Sequence, residues 1–561
     1  MNVASFVLER ARRAPEAAAI HTPAGRGSGG RVRYASTTNG ELDQLSDRIA
    51  RGLESVGIGR GVRTALLVKP SVEMFALTLA LFKTGAVPVL VDPGIGIRRL
   101  KRCLDEAEPE AFIAIPQAQM ARLALGWGRA SVRIAVTVGP RWARNLGDVT
   151  LDELIARGGG DEPYAVAETD DDEIAAILFT SGSTGPPKGV MYRHGNFAAQ
   201  VEAIRGLAAI EPGEVDVPTF PLFALFDPAL GMSSVVPDMD ATRPGDVDPR
   251  VILDAAEAFG ATNLFGSPAL LDTVGRYGDV HGSKLSTLRR VVSAGAPVPA
   301  EVMARFLRML PDGATIFTPY GATECLPVSC ISSREVLTDT AARTEQGAGI
   351  CVGAPVPSIE LRIIRIDDRP IAAWDLAVVL PPGEIGEIIV RGPQATSGYY
   401  GRPEADAIAK LPASDGGGSW HRMGDVGYLD AHGRLWYCGR KADRVPTAAG
   451  TLHTAPVEAI FDAHPKVRRT ALVGVPRASG GEDREPVLCV ELLSGTPRRE
   501  RDAIERELRA IAETHEGTRA VATFFFHRRF PVDIRHNAKI GRPELARWAA
   551  RKLGRRRPVS P

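Results

Sequence analysis

Apolar and polar positions along the first 350 residues follow two periods, one helical and one extended. Apolar residues spaced three and four apart predict helices at 41–56 and 251–259. Short β-branched runs between such segments predict strands at 64–68, 112–115, 132–138, 174–179, 263–265 and 289–293. Because strands and helices alternate, the pattern favours an α/β fold with largely parallel sheets.

After about residue 353 the pattern becomes that of an antiparallel sheet. Runs at 359–366, 386–391 and 434–438 predict strands, and Asp430-Ala-His-Gly433 predicts a hairpin turn between two of them. Beyond residue 440 there are further strand patterns and a long helical pattern at 498–513, typical of a small α+β domain. We therefore predict two domains, residues 1–440 and 441–561.

The longest apolar stretch, residues 74–91, is interrupted by Lys83, Thr84 and Gly85, so it predicts a buried helix followed by a strand rather than a membrane span. The N-terminus lacks the apolar core of a signal peptide. Six cysteines form no Cys-x-x-Cys pair, which argues against a zinc site and a disulfide framework. The formal net charge of +1 does not indicate a nucleic-acid partner. We expect a cytoplasmic protein that is not an integral membrane protein.

Residues 179–190 form the segment with the clearest chemistry. Four hydroxyl residues, three glycines and Lys188 follow a strand-like apolar run. Glycines let backbone N–H groups approach an anion, hydroxyls add donors, and the lysine adds a point charge, so the segment predicts a polyphosphate-binding loop. Its lysine precedes a glycine, which excludes the Walker A pattern. The alternative is a flexible Ser/Gly linker, which is rarely placed between two apolar segments.

Three other segments carry weaker evidence of function when each is considered alone. Tyr320-Gly-Ala-Thr-Glu324 would suit base stacking, a phosphate contact and a Mg²⁺ ligand, or it is a structural turn. Met423-Gly-Asp425 would suit ribose hydroxyls, or it is a glycine turn. Lys539 by itself is best interpreted as a solvated charge. The sequence contains no Gly-x-Ser-x-Gly elbow, no His-Glu-x-x-His zinc motif and no Gly-x-Gly-x-x-Gly after a strand.

Six motifs in a fixed order connect these segments. They are 180–189 followed by His194-Gly-Asn196, then 320–324, 383–387 with Arg391-Gly392, 423–425, Gly439-Arg440 and Lys539-Ile540. In this order they resemble the adenylate-forming superfamily of acyl-CoA synthetases, luciferases and peptide-synthetase adenylation domains, from about residue 34 to 545. The resemblance implies a large N-terminal domain of stacked α/β sheets with a small barrel-like β region, followed by a smaller, mobile α+β domain.

The resemblance also implies ATP and Mg²⁺ as cofactors and a role for each motif. Tyr320 would stack on adenine, Thr323 would contact the α-phosphate and Glu324 would bind Mg²⁺. Lys539 would reach in from the small domain to bridge the acyl carboxylate and the α-phosphate, and His194 would lie near the acyl site or be structural. The residues implied to bind ATP are Thr180, Ser181, Gly182, Ser183, Thr184, Gly185, Lys188, Gly295, Ala296, Tyr320, Asp425 and Arg440.

The chain departs from the superfamily pattern where relatives accept a thiol. Ala442 stands at a hinge position that is usually Asp or Lys, and Pro446 would interrupt the hydrogen bonds of the following strand. The span from 450 to 458 is also one residue short. These departures put a thiolation step in doubt, whereas the adenylation lysine is retained.

With the segment 220–231, the altered hinge resembles that of the olefin β-lactone synthetases. This implies activation of a long-chain 2-alkyl-3-hydroxy acid and closure of its own hydroxyl to a β-lactone, releasing AMP and pyrophosphate, and possible association with other olefin-pathway enzymes. The apolar run 220–232 is expected to form the acyl-pocket wall or core. Asp227 within it is expected to cap a helix that starts at Pro228, with contact to a substrate hydroxyl as the alternative. The alternatives are a fatty acyl-CoA or acyl-AMP ligase and a non-catalytic adenylate-binding relative.

Overall fold

The computed structural model describes residues 1–27, 29–179, 186–477, 480–532 and 540–556. Its first part contains α1 (Ser5–Arg13), β1 (Ala18–Arg26), β2 (Val32–Thr38), α2 (Asn39–Ser55), β3 (Arg63–Leu67), α3 (Val72–Thr84), β4 (Val87–Leu90), α4 (Ile97–Ala107), β5 (Ala111–Ala114), α5 (Pro116–Leu125), β6 (Ile134–Thr137), β7 (Val149–Thr150), α6 (Leu151–Arg157), β8 (Ile174–Phe179) and β9 (Gly189–Arg193). Strands β3 to β9 form one sheet in the order β7-β6-β5-β3-β4-β8-β9, parallel except for the pair β8–β9.

A second parallel sheet follows. Its elements are α7 (His194–Ala208), β10 (Val215–Pro218), α8 (Pro221–Ala224), α9 (Asp227–Leu230), β11 (Ser233–Val235), α10 (Pro249–Phe259), β12 (Asn263–Phe265), α11 (Pro268–His281), β13 (Arg290–Val292), α12 (Ala300–Leu307), β14 (Thr315–Ala322), β15 (Cys325–Ser332), α13 (Ser333–Glu335) and α14 (Ala341–Glu345). Strands β10 to β14 pair in parallel, and β1 joins the outer strand β11.

The same sheet then continues as antiparallel strands. These elements are β16 (Ile350–Pro355), β17 (Glu360–Ile364), β18 (Gly386–Arg391), α15 (Pro403–Ala409), β19 (Lys410–Pro412), β20 (Ser419–Leu429) and β21 (Leu435–Arg440). Strands β20 and β21 form the hairpin expected from the turn at 430–433. Since β21 ends at Arg440, the sheet stops where the sequence divides the chain, although the exact boundary stays a prediction.

The remainder is a small α+β unit. It contains β22 (Val445–Thr447), β23 (Gly450–Leu452), α16 (Thr454–Asp462), β24 (Val467–Pro476), β25 (Arg484–Leu492), α17 (Arg501–Thr514), β26 (Thr523–Phe526) and α18 (Arg542–Arg556). Strands β24, β25 and β26 form a sheet with its own apolar core, built around Phe461, Leu488 and Phe524. A sheet-rich large domain followed by a smaller α+β domain is the architecture that the sequence predicts.

The interrupted apolar stretch is a buried helix and strand, α3 and β4, as predicted. Lys83 in α3 is fully buried, and its Nζ lies 2.5 Å from carboxylate oxygens of both Asp43 and Asp47. Two carboxylates offset the desolvation of the buried ammonium group, which explains how a charge fits inside this helix. No helix in the described ranges is long and apolar enough to cross a membrane.

The six cysteines are all free. Burial raises the pKa of the Cys351 thiol to about 11 and the pKa of each of the others to about 12. Thiols with such a raised pKa remain protonated at neutral pH and are poor nucleophiles.

Candidate active site

A cavity of about 2260 Å³ lies where the two large sheets and the small domain meet. It has a polar end and an apolar end. The sequence-predicted residues that line it are Lys188, Gly295, Ala296, Tyr320, Thr323, Glu324, Asp425 and Arg440. The fold therefore brings together residues that are up to 252 positions apart in the chain. Residues 180–185 and Lys539 lie outside the described residues, so their predicted roles stay predictions.

At the polar end, a hydrogen bond and an ion pair join Tyr320 and Arg440 to Asp425. The Tyr320 hydroxyl donates to Asp425 Oδ2 at 2.6 Å, and an Arg440 guanidinium nitrogen lies 3.0 Å from Asp425 Oδ1. Asp425 and Arg440 are opposite each other on β20 and β21, so the hairpin itself sets their separation. The Asp425 carboxylate raises the pKa of Arg440, whereas burial, followed by that carboxylate, raises the pKa of Tyr320. The result is a fixed carboxylate beside an aromatic ring.

Glu324 lies nearby, at the turn between β14 and β15. Its Oε1 accepts a hydrogen bond of 2.7 Å from the Tyr399 hydroxyl, and its backbone oxygen accepts one of 2.9 Å from the Thr396 N–H. Lys188 Nζ lies 4.5 Å from the centre of the Tyr399 ring, a cation–π distance. The tyrosine thus links the lysine after the glycine-rich loop to the carboxylate of the 320–324 motif.

Sequence reasoning missed Tyr399 and the residue behind it, Lys410. The Lys410 ammonium donates to the backbone oxygen of Thr396, and burial lowers its pKa to about 8. A signal for Tyr399 exists in the sequence, since Gly398-Tyr-Tyr-Gly401 places two aromatic residues in a turn between strands. Lys410 offers no comparable signal, because its burial depends on packing against distant segments.

The apolar end is built mainly from α7 and the chain around α8 and α9. One face of α7 lines it with side chains three, four and seven residues apart, Phe197, Val201, Ile204 and Ala208 among them. Opposite it lies the wall expected at 220–232, which contributes Phe220, Phe223, Leu225, Phe226 and Ala229. The Phe223 ring stacks on Phe265 with centroids 3.9 Å apart, which fixes that wall against β12.

Comparison with known proteins identifies this arrangement. Residues 7–400 match the family described as AMP-binding enzyme. The chain belongs to that family. It is 53% identical to the olefin beta-lactone synthetase of Xanthomonas campestris pv. campestris over 555 residues, covering 98% of both chains. It is 52% identical to the olefin beta-lactone synthetase of Stenotrophomonas maltophilia over 560 residues, covering 99% of both.

Among solved structures, the amide bond synthetase McbA from Marinactinospora thermotolerans superposes with a TM-score of 0.77 at 26% identity. The match covers 98% of this chain and 99% of McbA. Matches over nearly the whole length of all three proteins include the small C-terminal domain as well as the large one. This AMP-binding enzyme is therefore an adenylate-forming ligase with the two-domain architecture expected from its sequence.

His194 of this AMP-binding enzyme is not among the described residues that line the cavity. It is buried, its Nδ1 accepts a hydrogen bond of 3.2 Å from the Val3 N–H, and its ring packs edge-on against Phe82. Burial lowers its pKa to about 4, so it is neutral at physiological pH. The placement favours the structural alternative over a role at the acyl site.

The prediction that Asp227 caps a helix is wrong. Helix α9 begins at Asp227 with Phe226 at the N-cap position, and no side-chain cap bond is present. Instead, the fully buried Asp227 carboxyl accepts a hydrogen bond from the Ser234 hydroxyl and lies beside the buried carboxyl of Asp216. Burial raises the pKa of Asp216 to about 7, and burial together with Asp216 raises that of Asp227 well above its usual range. The pair therefore keeps at least one proton at neutral pH.

The prediction that Pro446 interrupts its strand is also wrong. Strand β22 pairs with β23 through a two-residue loop, and Pro446 lies opposite Thr451. Opposite residues alternate between hydrogen-bonded and non-hydrogen-bonded positions, and a proline fits the latter without loss. Ala442 lies just before this hairpin and lines the cavity.

Proposed function

We propose that this ligase converts ATP and a long-chain 2-alkyl-3-hydroxy acid into a β-lactone, AMP and pyrophosphate. The observation that carries the proposal is the near-complete coverage of two relatives named olefin beta-lactone synthetase at 52–53% identity. A cavity that is polar at one end and lined by phenylalanines at the other supports it, because such a cavity suits a nucleotide joined to an aliphatic chain.

At the polar end, Tyr320 would stack on adenine, with Gly295 and Ala296 beside the base. The hydrogen bond from Tyr320 leaves the Asp425 carboxylate oriented, so with Arg440 it would hold the ribose hydroxyls. Thr323, the loop 180–185 and Lys188 would contact the phosphates. In this arrangement the pyrophosphate leaves on the side of the loop.

Mg²⁺ fits this site as an ion shared with the substrate. Among the described residues there is no cluster of three or more His, Cys, Asp or Glu side chains that could hold a metal. The Glu324 carboxylate lines the cavity and suits Mg²⁺, which commonly takes one or two carboxylates together with phosphate oxygens. When bound, the ion would offset the negative charge of the phosphates.

Two bond exchanges complete the reaction. A carboxylate oxygen of the acid bonds to the α-phosphorus while the α–β phosphoanhydride bond breaks, giving acyl-AMP and pyrophosphate. Lys539 would offset the repulsion between the two anions in this step. The 3-hydroxyl oxygen then bonds to the acyl carbon and releases its proton, while the bond from that carbon to the oxygen bridging it to phosphorus breaks, so AMP leaves with the bridging oxygen. Tethering raises the effective concentration of the hydroxyl, which helps to offset the strain of a four-membered ring.

The test is a product assay without coenzyme A. The enzyme, ATP, Mg²⁺ and a 2-alkyl-3-hydroxy acid should give lactone detectable by NMR, whereas the matched acid without the 3-hydroxyl should give no lactone. Lys539→Ala should lower AMP formation at least about a hundredfold through loss of transition-state stabilisation. A thioester formed only when coenzyme A is added, with no lactone at any time, would show an acyl-CoA ligase instead.

A further inference from the structure

Helix α5 and the turn that follows β6 form an exposed apolar surface far from the residues that line the cavity. Four large side chains project from it: Met120, Leu123, Leu125 and Trp142, which are 45%, 58%, 43% and 68% exposed. None of the described residues from 93 to 177 lines the cavity. Solvent-exposed apolar groups clustered in this way usually mark a binding surface.

These side chains belong to one continuous face. A Cβ atom at Gly139 would lie 3.1 Å from the Pro116 ring, so the start of the 3-10 turn Arg141–Leu146 lies against the start of α5. At the other end, Arg122 donates to the backbone oxygen of Leu146 at 3.5 Å. The turn and the helix therefore run side by side, and Trp142 is the second residue of that turn.

The charge along the helix and the turn is mainly positive. The exposed Asp148 follows the turn, accepts a hydrogen bond from the Ala135 N–H and acts on Arg122. Residues 116–147 contain five arginines and no aspartate or glutamate, in a chain with 67 acidic residues. Arg129, Arg133 and Arg141 are exposed, and no ion pair joins any of them to a carboxylate in the described part of the chain. Arg144 pairs with Glu153 at 2.6 Å, at the margin of the face. We call Met120, Leu123, Leu125 and Trp142 with Arg129, Arg133 and Arg141 the arginine–apolar surface.

We propose that the arginine–apolar surface docks on the face of a bilayer that contains anionic phospholipid. Tryptophan and leucine enter the boundary between headgroups and acyl chains, and arginines pair with lipid phosphates. The apolar groups stand on a helix and a turn rather than in a groove, so a fluid interface that adapts its shape suits them better than a rigid protein partner. Because no described helix could cross a membrane, the contact is peripheral.

The experiment is vesicle flotation of the full chain. Vesicles of phosphatidylcholine with 30% phosphatidylglycerol are compared with phosphatidylcholine alone, at about 0.1 M and about 1 M salt. We expect the wild-type protein to float with the anionic vesicles at low salt only, since salt screens the arginine–phosphate attraction. The double variants Trp142→Glu/Leu123→Glu and Arg129→Glu/Arg141→Glu should each bind roughly tenfold less.

The controls place the same changes elsewhere on the surface. Val280→Glu alters a side chain that is 77% exposed on α11, and Arg498→Glu/Arg506→Glu makes an equal charge change near α17. Both control variants should bind the anionic vesicles with an affinity within about twofold of that of the wild type. Equal binding to neutral vesicles, or equal loss in the controls, would overturn the proposal. It would also fail if Trp142→Glu/Leu123→Glu kept its lipid binding but dissociated a dimer in sedimentation, since a second copy would then cover the face.

Discussion

Single buried side chains show where electrostatics shapes this enzyme. Asp216 and Asp227 are neighbouring buried carboxyl groups, and neither lines the cavity. Two ionised carboxylates at this separation would repel each other in a medium without water, so one proton remains with the pair. The hydroxyl of Ser234 on β11 donates to Asp227 on α9, and Asp216 on β10 lies beside them. The pair therefore stabilises the wall only while it stays protonated.

We expect the pair to make folding stability depend on pH in a definite direction. The pKa of Asp216 is about 7 in the folded chain and about 4 when unfolded. Between these values the folded state binds more protons, so the free energy of unfolding falls as pH rises, by at most about 1.4 kcal/mol per pH unit for one group. In urea unfolding, the Asp216→Asn variant should show a smaller decrease of the free energy of unfolding between about pH 4 and pH 7 than the wild type.

The matched control is Asp312→Asn, which changes an exposed carboxyl in the loop before β14. It should leave the slope of stability against pH unchanged. If Asp216→Asn gave a curve parallel to that of the wild type, the carboxyl pair would not hold a proton in the folded state.

Residues in local motifs were predictable, and those fixed by distant partners were not. Tyr320, Asp425 and Arg440 each stand in a short motif, and the fold brings them to one end of the cavity. The environment of His194 depends on Val3, 191 residues away. Asp227 looked like a helix cap because the following Pro228 is typical of a first helical turn. Its actual partners became visible only when β10 and β11 were placed in space.

Among secondary-structure elements, α7 lines the apolar end with one face, across from the wall at 220–232. Its hydrophobic side faces the cavity, and residues such as Glu202 point outward. Ile204→Trp should fill space in the cavity and shorten the longest acyl chain that is accepted. We expect kcat/KM to fall roughly tenfold or more for long-chain acids and much less for short ones, because overpacking costs typically 1–3 kcal/mol.

The comparison variant is Glu202→Trp, which places the same ring on the outer side of the same helix. Rates measured across a series of acid lengths should match the wild type for this variant. An equal loss at every length with Ile204→Trp would mean that the helix was disturbed as a whole and that its inner face does not select chain length.

For secondary-structure elements the sequence was more informative than for single residues. The period of apolar positions placed α2, α3 and β4 to within two residues, because burial of one face dominates each of them. Pro446 was misjudged because a proline is harmful or neutral depending on which pairing position it occupies, and register is a property of two strands. The antiparallel strands after 353 were recognisable from their turns.

For the chain as a unit, the junction between the domains contains a buried charge network. Glu387 is fully buried on β18; its carboxylate lies 2.6 Å from Arg422 and 2.8 Å from Lys441, the first residue after β21. Arg444 in turn pairs with Asp368. The large domain therefore holds the connecting segment at both of its ends, close to Ala442.

Removing the central charge should weaken this junction strongly. Glu387→Gln leaves two buried cations without a full counter-charge, so we expect a loss of about 3–5 kcal/mol in the free energy of unfolding. Glu360→Gln removes an exposed partner of Arg391 on the neighbouring strand and should cost less than about 1 kcal/mol. Denaturant unfolding of both variants checks this, and similar small losses would show that the buried network adds little.

The protonated state of the native thiols has a practical consequence for observing turnover. All six cysteines are free and nearly all buried, and their raised pKa values leave almost no thiolate at neutral pH. Maleimide dyes would therefore react selectively with cysteines introduced at exposed positions, without first removing the native ones. A pair at Val280 on α11 and Arg506 on α17 would place one fluorophore on each domain. Energy transfer between them would report whether the small domain moves while substrate is consumed.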